Sequence, residues 1–306
     1  MGNRSSSPQR PQVAFDVDPS PIQSKSIKRQ SDYPTSSGGL GDIWKCSMII
    51  NRVTPTEVAV KNIRITDMRD EEAIQKAKKR LRREVAVWIK LSHAHVLTLH
   101  GTVSGFGPLP ALVSTWMYNG ALDGYLKRTS LTMKQKLKLG VIHGDLTNTN
   151  VLIDRDGNAF LADFGLSLAL AESDRSYYQS YSKGAVRWSA PELIDSPDSE
   201  SIPDDSHGAI LKPNSQSDVF SLGCIMLYVF SGAIPFWWIK NANKVFKPQF
   251  DRVEPYRPES SVIVSRQHLD FMRKCWSAKP EDRPSIEDAA SFVENELKSA
   301  RSPPSN

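Results

Sequence analysis

At 306 residues and 39 per cent apolar composition, the chain can bury one large core or two smaller ones, which excludes a wholly disordered or fibrous class. A formal charge of +5 is modest for that length, so charge alone does not indicate a nucleic-acid binder. The three cysteines, Cys46, Cys224 and Cys275, are odd in number and far apart, which excludes a disulfide framework and makes the reducing cytoplasm the expected compartment.

Residues 1–32 are rich in Ser, Pro, Gln and charge and read as a disordered leader with no secretory signal. Met1-Gly2-Asn3-Arg4-Ser5-Ser6 fits the loose acylation pattern M-G-x-x-x-[ST]. An ordinary tail is the favoured reading, and a single acyl chain on Gly2 would give only weak membrane contact. Residues 33–118 are expected to form a first, β-rich part. Strands fall on Ile43-Trp44-Lys45-Cys46 and Glu57-Val58-Ala59-Val60-Lys61, a helix on about 71–91, and apolar runs near 96–99 and 111–116. In that helix Ala73, Ala77, Leu81, Val85 and Trp88 make an apolar stripe. The basic residues Lys76, Lys78, Lys79, Arg80, Arg82 and Arg83 beside it are read as a solvated face rather than a phosphate-binding surface.

Residues 119–298 read as mostly helical, with a polar surface loop over 195–214 and a short disordered tail at 299–306. The apolar run 219–239 is long enough to span a bilayer. Asp218 opens it, however, and Gly223, Gly232 and Pro235 interrupt it. The spacing predicts a buried helix ending near Ser231-Gly232 and then a turn. There are no internal repeats.

Three strings carry chemistry. Ser36-Ser37-Gly38-Gly39-Leu40-Gly41-Asp42-Ile43 predicts a glycine-rich hairpin whose backbone N–H groups can approach phosphate oxygens, although glycine clusters are more often plain hairpins. About twenty residues later Val58-Ala59-Val60-Lys61 places an ammonium at the end of a buried strand, with Glu84 on the following helix as its candidate partner. The third is His143-Gly144-Asp145-Leu146-Thr147-Asn148-Thr149-Asn150, followed by Asp163-Phe164-Gly165. Two carboxylates and one amide sit on short turns, each turn beside an apolar run. Phosphoryl transfer needs that set: a carboxylate to orient a hydroxyl, and hard oxygen ligands for a metal on nucleotide phosphates.

In this order the strings resemble the glycine loop, V-A-I-K, H-R-D-L-x-x-x-N and D-F-G signatures of eukaryotic protein kinases. Ala190-Pro191-Glu192 matches A-P-E, and Asp218 to Gly223 is similar to the D-x-W-S-x-G opening of that family's central helix. Cys275-Trp276 with Pro280-Glu281-Asp282-Arg283-Pro284-Ser285 resembles its C-W…R-P-S ending. That ending and Trp188 are similar to the tyrosine-kinase-like group, and Val141-Ile142-His143-Gly144-Asp145-Leu146 resembles expanded kinases of basidiomycete fungi. The resemblance covers about 85 per cent of the chain.

It implies an α+β, two-lobed fold with a small β-rich N-lobe ending in a hinge at 118 and a larger helical C-lobe. It also implies ATP and Mg2+ as cofactors, a protein hydroxyl as acceptor (Ser/Thr ahead of Tyr), and no nucleic-acid partner. Asp145 would orient the acceptor, and Lys61, held by Glu84, would meet the α- and β-phosphates. Gly38, Gly41, Ile43, Ala59, Lys61, Ser114, Met117 and Leu152 would line the ATP site, with Ser114 as gatekeeper. Asn150 and Asp163 would hold the metal, and Glu192 and Arg283 would form a structural ion pair.

The chain also departs from the pattern. Gly144 stands where most kinases carry Arg, Thr147 where serine/threonine kinases carry Lys, and Ala185 where a Thr would touch Asp145. Each loss would slow transfer by about ten- to a thousandfold without abolishing it. Only fifteen residues, 127–141, separate Leu126 from Ile142, where the family fits a long helix. As helix they span about 22 Å, and losing about five buried apolar residues would cost on the order of 10 kcal/mol. Either 130–139, capped by Ser130, forms a shortened helix, or a segment is missing from the sequence. The alternative to an active kinase is a kinase-like scaffold with weak or no turnover.

Overall fold

The computed structural model of the chain describes residues 21–38, 41–50, 54–65, 68–128, 146–164, 185–194, 213–259 and 262–299. The chain divides into two compact units, 1–92 with 97–116, and 93–96 with 117–306.

Among the described residues the first unit holds a six-stranded antiparallel sheet and one α-helix. Its strands are β1 (Ile27–Arg29), β2 (Ser36–Gly38), β3 (Gly41–Ile50), β4 (Thr54–Ile63), β5 (Leu99–Val103) and β6 (Ala111–Thr115), in the order β1-β3-β4-β6-β5 with β2 also on β3. The register Trp44↔Val60 and Cys46↔Val58 aligns the even-numbered side chains of β3 and β4 on one face. There Cys46, Val58, Val60, Ala111 and Val113 are fully buried, each valine contributing roughly 1.5–3 kcal/mol. The opposite face presents Ile43, Ala59 and Lys61. Burial pushes the Cys46 thiol up to about 11, so it stays protonated and inert.

Residues 21–32 depart from the expected disordered leader. Ile27, Lys28 and Arg29 pair with Met48, Ser47 and Cys46, and Ile22 N–H donates to Thr102 O at 2.8 Å. Ile22 and Ile27 pack on the buried face of β3 and β4. The Arg29 guanidinium lies 4.4 Å from the ring centres of both Trp44 and Phe106. Average composition hid two isoleucines spaced to cover a face that the sheet could not leave in water.

Helix α1 (Glu71–Trp88) starts where expected because Asp70 caps it, accepting from Ala73 N–H, and Glu71 and Glu72 complement its dipole. Leu81, Val85 and Trp88 are buried, as the stripe predicts, and Glu84 lies among them.

The second unit holds a three-stranded sheet, β7 (Gly120–Ala121), β8 (Val151–Ile153) and β9 (Ala159–Leu161), with helices α2 (Leu122–Arg128), α3 (Ser215–Ser231), α4 (Phe246–Phe250), α5 (Arg266–Cys275) and α6 (Ile286–Ser299). Helix α3 is buried over most of its length and opens on an Asn214–Ser217 capping box, with Asn214 extended just outside the helix at the end of the expected loop, whose residues 195–212 lie outside the described residues. It stops at Gly232, whose φ of 74° suits glycine, and the Gly232 N–H closes on Tyr228 O at 2.8 Å. The break falls where the sequence places it, and no described helix is long and apolar enough to cross a membrane.

Helices α5 and α6 meet through stacked Phe271 and Phe292, 3.9 Å between centroids. Arg283 donates two hydrogen bonds to the Glu192 carboxylate, at 2.6 and 2.8 Å, and others to Ser277 O and Gln216 O. Both side chains are almost fully buried. The pair therefore ties the A-P-E turn to the start of α3 and the α5–α6 connection. Removing one partner leaves an uncompensated buried charge. Glu192→Ala is expected to lower stability by about 3–5 kcal/mol, read as a fall in the urea midpoint; an unchanged midpoint would contradict the role.

Candidate active site

The first unit assembles the lysine-bearing set from adjacent strands. Ile43 pairs with Lys61 and Ala59 with Ser114, so these four expected residues fall in two neighbouring rows across β3, β4 and β6. Lys61 Nζ lies 2.7 Å from Glu84 Oε1, where Lys61 is 17 per cent exposed and Glu84 fully buried. A carboxylate sunk in an apolar helix face requires a cation, and the strand end brings the only part of the lysine that can serve. An ammonium carries three donors, so it can serve more than one anion.

Gly38 pairs with Gly41 and closes the hairpin of β2 and β3. The two glycines differ in what they are for. A Cβ at Gly41 would sit 1.9 Å from Asn62 O, so only glycine fits there, whereas a Cβ at Gly38 would meet nothing within 4 Å. Gly41 serves strand packing, and Gly38 leaves its surroundings open to a ligand. Ser114 is buried near the end of β6.

The second unit carries the metal-binding candidates. Asn150 directly precedes β8, and Asp163 lies two residues beyond β9. Val151 pairs with Leu161, and Ala162 N–H donates to Asn150 O at 2.9 Å, so the strand pair sets the amide and the carboxylate side by side in sequence register. Asp163 has φ of 67°, an uncommon left-handed conformation for a residue with a side chain, while Phe164 after it is completely buried. Burying the phenylalanine fixes the direction in which the strained aspartate is displayed. One carboxylate and one amide, both half-exposed, fit a hard divalent cation that also keeps water and phosphate oxygens, rather than an all-protein metal cage. Among the described residues no group of three or more His, Cys, Asp or Glu could hold a metal.

Leu152 lies within β8, and Met117 is buried with its carbonyl accepting from Gly120 N–H at 3.1 Å. That carbonyl is engaged in a turn, which leaves the Met117 N–H as the group the expected hinge contact can use. Thr147 is buried with its hydroxyl 2.9 Å from that of Thr149, so this position adds no positive charge to the loop. His143, Gly144, Asp145, the shortened stretch 130–139, Gly165 and the segment 165–184 lie outside the described residues.

One positioning network went unread in the sequence. Asp123 at the start of α2 accepts from Tyr228 Oη at 2.7 Å and from Asn148 Nδ2 at 3.3 Å, which anchors the loop before Asn150 to the buried helix α3. Burial pushes the Asp123 carboxyl up, but hydrogen bonds from Tyr228 and Lys127 outweigh it and hold the group below its ordinary value. Burial and this bond also push the Tyr228 phenol upward. No local signal marks such a trio, since its members are separated by 25 and 105 residues.

A family model described as protein tyrosine and serine/threonine kinase matches residues 33–293. The chain is similar to the rat ephrin type-A receptor 8, with 29 per cent identity over 69 per cent of this chain and 57 per cent of the receptor. It is equally similar to the rat receptor-interacting serine/threonine-protein kinase 3, at 29 per cent over 71 per cent of this chain and 48 per cent of that protein. The Saccharomyces cerevisiae serine/threonine-protein kinase BCK1/SLK1/SSP31 is 25 per cent identical over 85 per cent of this chain and 18 per cent of its own length. The chain thus spans less than three-fifths of each of these relatives. With a sheet-rich first unit, a helical second unit and a match over most of its length, the chain belongs to the protein tyrosine and serine/threonine kinase family.

Proposed function

We propose that the chain is a cytoplasmic kinase that transfers the γ-phosphoryl group of magnesium-bound ATP to serine or threonine hydroxyls of proteins. The observation that carries this reading is the Lys61–Glu84 ion pair, because it holds at a strand end an ammonium that can serve a phosphate as well as the carboxylate. Serine/threonine preference is supported by the tyrosine-kinase-like cast of the C-terminal motifs and by the lack of an arginine between Asp145 and Asn150.

Lys61 and the hairpin of Gly38 and Gly41 would bind the phosphates. Ile43, Ala59, Ser114, Met117 and Leu152 would receive the adenine. Asn150 and Asp163 would hold Mg2+, which when bound neutralises charge on the β- and γ-phosphates. Asp145 would accept the proton of the acceptor hydroxyl as its oxygen bonds to the γ-phosphorus and the bond to ADP breaks. With Gly144 and Thr147 in place of the usual Arg and Lys, the loop forgoes two positive charges, which points to slow turnover and to activation without an Arg–phosphate pair.

Asp145→Ala is expected to lower kcat by about 10²–10⁴-fold while ATP affinity stays within about threefold, measured with radiolabelled ATP and by calorimetry. Equal transfer by this variant would sink the assignment, and nucleotide binding without transfer in the unaltered chain would favour the scaffold reading. A second pair of variants separates backbone strain from metal binding. Asp163→Gly and Asp163→Ala should both lose the magnesium enhancement of ATP binding, yet the glycine variant should be more stable by about 1–2 kcal/mol, since only the alanine must hold a Cβ at positive φ. Retained enhancement in either, or equal melting of the two, would contradict the respective role.

A further inference from the structure

On the face of the sheet opposite Lys61 lies a second row of polar side chains that phosphate binding does not use directly. Ser37 pairs with Asp42 and Asp42 with Asn62, so the three stand in line across β2, β3 and β4. Arg64, two residues beyond Asn62, is their diagonal neighbour. Ser37 Oγ donates to Asp42 Oδ1 at 2.7 Å, and the Arg64 guanidinium pairs with the same oxygen. Asn62 Oδ1 accepts from the Asp42 N–H at 3.1 Å, while its Nδ2 donates to Phe106 O at 3.0 Å in the β5–β6 connection. Asn62 is 8 per cent exposed and both ends of its amide are engaged. Its own carbonyl is the atom that leaves no room for a Cβ at Gly41.

The hairpin needs such a clamp. β2 is three residues long and exposed throughout, too short to hold its place by ladder bonds alone. Asn62 directly follows Lys61, so whatever fixes the hairpin to Asn62 also fixes it to the ammonium. The Ser37 hydrogen bond and then the Arg64 guanidinium hold the Asp42 carboxyl below its usual value, so the group is an anion directly beside Gly41 in the hairpin proposed to hold the phosphates.

We propose that Asn62, Asp42 and Arg64 are positioning residues for the nucleotide phosphates: Asn62 locks the glycine hairpin to the strand that presents Lys61, and Arg64 neutralises a carboxylate that would otherwise repel the triphosphate. The proposal rests on the ATP reading and deepens it. None of the three touches the ligand; each acts through the hairpin. Losing one such hydrogen bond is worth about three- to tenfold in affinity, and an uncompensated charge near the phosphates about twofold or more.

The test is calorimetric binding of ATP and of adenosine to the full chain and to three variants. Asn62→Ala and Arg64→Ala should each weaken ATP by about three- to tenfold and adenosine by less than twofold, since adenosine lacks the phosphates that the hairpin holds. Adding Asp42→Asn to Arg64→Ala should restore ATP binding to within about twofold, because the new amide oxygen still accepts from Ser37 and the side chain carries no charge. Arg64 is 45 per cent exposed, so its variant remains informative even where Asn62→Ala fails to fold. Equal losses for ATP and adenosine, or an Arg64→Ala loss that Asp42→Asn does not relieve, would overturn the proposal. If the unaltered chain binds neither compound, the nucleotide reading itself falls and takes the proposal with it.

Discussion

A carboxylate buried without exposure inside an apolar helix face is tolerable only when a cation reaches it, and in the first unit that requirement organises everything near it. Glu84 is the carboxylate, Lys61 the cation, and 2.7 Å their separation. The pair fixes the rotation of α1 about its axis, since Leu81, Val85 and Trp88 share its buried side. It also fixes which face of β4 turns inward, because a strand that slipped by one residue would present Asn62 to Glu84 and Lys61 to the apolar cluster. The face behind is then free for Trp44, Val58, Val60 and Val113, and for the N-terminal segment that covers them.

The second unit solves a different problem. Its short turns must hold an amide and a carboxylate in a defined place although neither turn is long enough to order itself. A strand pair behind them, the completely buried Phe164, and the chain of hydrogen bonds from Tyr228 through Asp123 to Asn148 supply the order. Farther out, the Glu192–Arg283 pair ties the A-P-E turn to α3. The strain at Asp163 is the visible sign that this scaffold dictates the backbone.

Much of this was legible in the residues because it is either local or carried by the order of motifs. The helix over α1 follows from its apolar period and Asp70, the end of α3 from Gly232, and the Lys61–Glu84 and Glu192–Arg283 pairs from motif order. What was not legible depends on partners distant in sequence. Ile22 and Ile27 sit in a polar leader, and only the sheet face they cover distinguishes them from a tail. Asn62 and Arg64 look like ordinary residues after a strand until the register sets them beside Asp42. Asp123 reads as a helix-start acid, and nothing nearby announces Tyr228.

The most direct measurement is a double-mutant cycle on ATP affinity with Lys61→Met, Glu84→Gln and the two combined. If the ion pair presents the ammonium to the phosphates, each single change should weaken binding. The double variant should then bind about as well as Lys61→Met alone, a coupling of about 1–3 kcal/mol. Losses that add to within about 0.5 kcal/mol would mean that the two residues act independently, and would contradict the pair as the organiser of the site.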